Sequence, residues 1–142
     1  MKLRLIIDTN ILIAALIKDS ITRKLLLHRD LTLLVIDYSL EEMKKYEQVI
    51  IKKSKEDKET IDSVLKIILS KALLIDSKLI KPNFPVAAKL IGKADEKDIP
   101  FVAAALTLQN DGIWSEDPHF EAVKDQISVW KTKDLARLIF RE

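Results

Sequence analysis

Short runs of leucine and β-branched residues recur along this chain, and each is continuous rather than alternating. They fall at residues 3–7 (Leu-Arg-Leu-Ile-Ile), 31–36, 72–75, 112–115 and 127–130. A strand with one wet face alternates apolar and polar residues, whereas a strand covered on both faces is apolar throughout. Between the runs, apolar residues fall at helical spacing over Ile11–Ile17, Ser20–Leu27, Ser39–Ile51, Ile61–Leu69, Asp95–Leu108 and Thr132–Phe140. Strands that alternate with helices, and that are buried on both sides, predict an α/β fold with a parallel sheet between two helical layers. Two segments carry no clear pattern. Residues 52–59 are dense in charge and read as the solvated turn of a helical hairpin, and Pro82 and Pro85 interrupt regular structure within 78–94.

The chain has 142 residues, which fits one domain over 1–142. A chain of this size buries roughly 70% of its unfolded surface, so it needs no covalent staple. It contains no cysteine, which excludes disulfides, thiolate metal sites and cysteine nucleophiles. Its 2 glycines leave no room for a glycine-rich phosphate loop of either common type. The longest apolar-looking stretch, Asn10 to Ile17, falls well short of the about 20 residues of a membrane span. The first residues also lack the apolar core and cleavage site of a signal peptide, so the expected compartment is the cytoplasm. A net charge of +2 permits local basic patches without demanding a polyanionic partner.

With no cysteine and 2 histidines, any metal must be carried mainly by acids. Asp8 directly follows the first strand, and Glu42 stands early in the helix after the second. Asp98 stands near the start of the helix before the fourth strand, and Asp117 follows that strand. In an open parallel sheet, ligands bind beyond the carboxyl ends of the strands, where the strand order reverses. Asp8, Glu42 and Asp117 fall at that edge. Asp98 reaches it only if its helix begins there. A carboxylate cluster is a hard-oxygen site suited to Mg²⁺ or Mn²⁺ rather than to zinc.

Each acid also has a purely structural reading. Asp8 and Asp117 are good helix caps, the latter with Pro118 at the first helical position. Ser39-Leu40-Glu41-Glu42 is a capping box in which Glu42 serves only the Ser39 amide. His28 sits at a helix end, where a cation is favoured. His119 lies close enough to Asp117 to touch a substrate. Trp114 and Trp130 read as core.

Four stretches resemble the motifs of one nuclease family. Asp8-Thr9-Asn10 after an apolar strand resembles the opening motif of PIN-domain nucleases. Ser39-Leu40-Glu41-Glu42-Met43-Lys44-Lys45-Tyr46 is similar to the second, with Glu42 preferred over Glu41 because Met43 and Tyr46 follow at the family's spacing. Asp95-Glu96-Lys97-Asp98-Ile99-Pro100-Phe101 and the alanine-rich residues after it resemble the third. Trp114-Ser115-Glu116-Asp117-Pro118-His119-Phe120 resembles the fourth, whose hydroxyl-x-acid spacing selects Asp117 over Glu116.

The resemblance implies a three-layer α/β/α fold with a parallel sheet of about five strands. It also implies a centre holding Mg²⁺ or Mn²⁺ and hydrolysis of RNA phosphodiester bonds. Asp8, Glu42, Asp98 and Asp117 would bind the metal, Asp95 would be a fifth acid, and Asn10 and Ser115 would support them by hydrogen bonds. Small members of the family include toxins held inactive by an antitoxin protein, and many are homodimers. The competing function is a non-catalytic RNA-binding or scaffolding module. Phosphatases of the haloacid dehalogenase type fit less well, since they need an acid where Asn10 stands.

Overall fold

The computed structural model describes residues 2–92 and 96–141. In chain order its elements are β1 (Leu3–Ile7), α1 (Thr9–Ile17), α2 (Ile21–Leu26), β2 (Leu31–Ile36), α3 (Asp37–Lys45), α4 (Glu47–Ser54) and α5 (Lys58–Ser70). They continue as β3 (Ala72–Ile75), α6 (Ser77–Ile80), α7 (Phe84–Ile91), α8 (Ile99–Thr107), β4 (Gly112–Trp114), β5 (Val129–Trp130) and α9 (Thr132–Phe140). The five strands form one parallel sheet in the order β3-β2-β1-β4-β5. The chain builds outward from β1 through β2 to β3, then returns to the other side of β1 with β4. The order therefore reverses at β1, which leaves a crevice beyond the carboxyl ends of β1 and β4.

Strand side chains divide between two cores, as the two-residue period requires. Leu3, Leu5 and Ile7, with Leu31, Leu33, Val35 and Trp114, face α1, α2, α5 and α9. Ile6, Leu34, Ile36 and Ile113 face α7 and α8, where Phe101 to Ala104 are buried. Both faces are covered, which is why the strands read as continuous apolar runs. The result is the three-layer α/β/α architecture expected from the strand–helix alternation. Among the described residues, no helix is long and apolar enough to cross a membrane.

Several local expectations are corrected. The helix expected over 39–51 starts earlier, at Asp37, and breaks at Tyr46 into α3 and α4. Ser39 is therefore inside a helix rather than at its cap. Helix α4 runs into the charged stretch as far as Ser54. The hairpin turn is short: Lys55 takes the left-handed conformation, and Asp57 caps α5 by accepting from the Thr60 amide at 2.8 Å. Of the stretch 78–94, residues 78–91 are helical, because Pro82 and Pro85 both stand in first turns that need no amide hydrogen there. Helix α8 begins at Ile99 after a 3₁₀ turn over Glu96–Asp98. A helix running from residue 95 would place Pro100 in its interior, where the ring clashes with the preceding turn. Asp95 lies outside the described residues. β5 keeps only Val129 and Trp130 of the expected 127–130 run.

Candidate metal centre

Asp8 leaves the end of β1 with its backbone still tied to the sheet: its amide donates to the Trp114 carbonyl at 3.1 Å. The residue is 4% exposed. One carboxylate oxygen accepts from the Ser115 hydroxyl at 2.5 Å and the other from the Asn10 amide at 3.4 Å. Burial pushes its pKa up to about 6. The Ser115 and Asn10 bonds oppose that rise, while the nearby charges of Asp117 and Asp98 add to it. Ser115 is fully buried and works in two directions, since its oxygen also accepts from the Asp117 amide at 2.9 Å. One hydroxyl thus sets the spacing of two acids from different strands.

Glu42 points inward from α3 and is buried, whereas its neighbour Glu41 is exposed. The Thr9 hydroxyl donates to Glu42 Oε1 at 2.6 Å and lies 2.8 Å from the Ser39 hydroxyl. A hydroxyl has one proton to give, so Ser39 supplies the second bond. Glu42 is therefore held by Thr9 across the sheet edge, and the capping-box reading of Glu42 is corrected. Asp98 ends the 3₁₀ turn before α8 and is buried. Its Oδ2 lies 2.8 Å from His119 Nδ1, and Asp117 Oδ1 lies 3.4 Å from the same nitrogen. Asp117 also caps its own turn by accepting from the His119 amide at 2.9 Å.

Asp8, Glu42, Asp98 and Asp117 line one small cavity of about 170 Å³, with Asn10, Tyr46 and Lys97 at its rim. Asn10 is exposed, and its recorded bond to Asp8 comes from the backbone amide, not from the side chain. Glu116 turns away and accepts from the Thr132 amide at 2.7 Å, at the start of α9. His28 stands just past the C-terminal end of α2, as expected. It lies at the other end of the sheet from the acids, where its Nδ1 accepts from the Asp30 amide at 3.0 Å.

Thr9, Ser39, Tyr46 and Lys97 escape a sequence reading of the site. Thr9 carries the one usable signal, as a polar residue between two motif residues. Lys97 reaches the Tyr46 hydroxyl at 3.4 Å, and nothing local marks that pairing.

The donor set is oxygen-rich and hard, and most of it is buried. Three carboxyl groups are buried close together, and Asp8 resists ionisation in their company. A divalent cation relieves both the burial and the repulsion, so these residues fit one. Asp98, Asp117 and His119 each offer one ligand atom within 4.8 Å of the others.

Fold and site together define an α/β/α protein with a carboxylate centre at the switch point of its sheet. The PIN-domain family model matches residues 6–138, and the chain belongs to that family. PIN domains are commonly nucleases that use divalent metal ions. No curated protein and no solved structure matches the chain significantly.

Proposed function

We propose that residues 1–142 form one catalytic domain, a metal-dependent endoribonuclease that hydrolyses RNA phosphodiester bonds. The observation that carries this reading is the convergence of Asp8, Glu42, Asp98 and Asp117 on one cavity. These four acids would hold Mg²⁺ or Mn²⁺. When bound, such an ion activates water, polarises a phosphate and stabilises a leaving oxygen.

The protein's own contribution is positioning. Ser115 fixes the Asp8 and Asp117 carboxylates relative to each other, and Thr9 fixes Glu42. At neutral pH Asp8 is above its pKa of about 6 and is largely ionised. Lys97 and Tyr46 stand at the rim, where an incoming phosphate passes. A wider hollow of about 620 Å³ shares Lys97 and includes Lys81, Tyr38 and Phe84. It leaves room for nucleotides flanking the scissile bond.

The test is cleavage of a varied set of labelled RNAs in Mn²⁺, in Mg²⁺ and in chelator, with wild type beside Asp8→Asn. Metal-dependent cleavage that disappears in Asp8→Asn supports the proposal. A folded wild type that binds RNA, but cleaves none of it in either metal, is instead a non-catalytic RNA-binding or scaffolding module. A toxin role with a small antitoxin partner, a homodimeric state and a cytoplasmic location extend the proposal from the family resemblance. Co-purification with the product of an adjacent short gene tests the first, and sedimentation tests the second.

A further inference from the structure

We propose that His119 is itself a ligand of the metal centre, through Nδ1, and that it tilts the centre from Mg²⁺ toward transition ions such as Mn²⁺. The inference rests on the metal-dependent reading above and adds a nitrogen donor to its carboxylates.

Around an octahedral ion with bonds of about 2.1 Å, adjacent donors lie about 3.0 Å apart and opposite donors about 4.2 Å apart. His119 Nδ1 lies 2.8 Å from Asp98 Oδ2 and 3.4 Å from Asp117 Oδ1. All three donor atoms fall within 4.8 Å of one another. The two His119 distances are those of neighbouring positions on one ion.

The ring is also held in place. The His119 amide is tied to Asp117, and Pro118 fixes the backbone just before it. The next residue, Phe120, is fully buried and packs edge-on against Phe101 at 6.3 Å between ring centres. Phe101 stands in the first turn of α8, directly after Asp98. One aromatic contact therefore locks the segments that carry Asp98 and His119 to each other. His119 itself is exposed, so its ring faces the side from which ions and substrate arrive.

Nitrogen changes the selectivity of such a site. Mg²⁺ prefers oxygen donors and keeps much of its water; Mn²⁺ also takes oxygen donors but, as a d-block ion, accepts an imidazole nitrogen more readily than Mg²⁺ does. The competing role for the same geometry is a hydrogen bond from His119 that merely positions Asp98.

The two roles separate by pulsed electron paramagnetic resonance of Mn²⁺ bound to the full chain, with ¹⁵N-labelled histidine. The chain has only 2 histidines, and His28 lies at the far end of the sheet, so a histidine nitrogen signal is assignable. We expect Mn²⁺ in the wild type to couple to one histidine nitrogen and the coupling to vanish in His119→Ala. Calorimetry should show Mn²⁺ binding weakened at least about tenfold in that variant, with Mg²⁺ binding nearly unchanged. His119→Gln can still donate to Asp98 and should lose Mn²⁺ preference in the same way.

Mn²⁺ binding without nitrogen coupling overturns the inference, as does wild-type Mn²⁺ affinity in His119→Gln. Either result leaves the carboxylate centre standing. A folded wild type that binds no Mn²⁺ overturns both.

Discussion

Replacing Asp8 by asparagine should make the metal-free protein more stable, by an amount that depends on pH in a defined way. Burial chiefly holds the Asp8 carboxyl at about 6 instead of 3.8. Between these values the folded protein keeps a proton that the unfolded chain has released. The folded state then binds more protons, and stability falls as pH rises through the interval. Below the lower value nothing is lost, and above the upper value the loss is complete. At about 1.4 kcal/mol per tenfold change in proton affinity, moving the group from 3.8 to about 6 costs about 3 kcal/mol. Asparagine has nearly the same shape and does not titrate.

Urea unfolding of both proteins in chelator, from about pH 4 to about pH 7.5, isolates this one group, because titrations common to both largely cancel in the difference. Asp8→Asn should gain on the wild type by about 3 kcal/mol across that range. Saturating Mn²⁺ should then restore the wild type by about 2.7 kcal/mol at a hundredfold excess over Kd, with little effect on the variant. A stability difference that stays flat with pH would refute the reasoning. So would an Asp8→Asn protein less stable than wild type at the upper end in chelator.

Thr9→Val keeps its shape but leaves Glu42 without the bond seen at 2.6 Å. It should cost about 1–3 kcal/mol in denaturant melts and weaken Mn²⁺ binding measured by calorimetry. Ser115→Ala removes the bond that pulls the Asp8 pKa down, so the carboxyl ¹³C titration of Asp8 should move further above its wild-type midpoint of about 6. Gly112 has φ +133°, and an added Cβ would lie 2.5 Å from the Ser128 carbonyl oxygen. Gly112→Ala should therefore lose roughly 2–5 kcal/mol in thermal or chemical unfolding, through the β4–β5 contact rather than through the acids.

The layered architecture was legible because burial on both faces leaves a plain signature, continuous apolar strands such as Leu31–Ile36. Asp8 and Asp117 were legible as site candidates for a related reason. Each is the acid that follows a buried strand, at the edge where such sheets bind ligands. Glu42 could be placed early in its helix but not explained, because its partner Thr9 lies 33 residues away and the capping pattern around Ser39 offered a local alternative. The Asp98–His119 contact spans 21 residues and depends on how α8 packs, which no periodicity encodes. The misplaced helix starts all involve proline. Pro82, Pro85 and Pro100 all act as helix starters here, whereas the first two read as breakers and the third as part of a helix interior.

The Ser115–Asp8 hydrogen bond joins groups 107 residues apart, and Asp8 also bonds through its backbone to Trp114. On a ribosome adding about 5–20 residues per second, the first of these partners waits roughly 5–20 s for the second. Throughout that interval β1 lacks its complete β4 neighbour, and the centre lacks Asp117 and His119. On the proposed reading as a ribonuclease, a half-made copy of this chain has no assembled centre with which to cut the message being read to make it. The carboxylate centre is assembled only once synthesis has passed β4, which puts a delay between translation and completion of the site into the order of the strands.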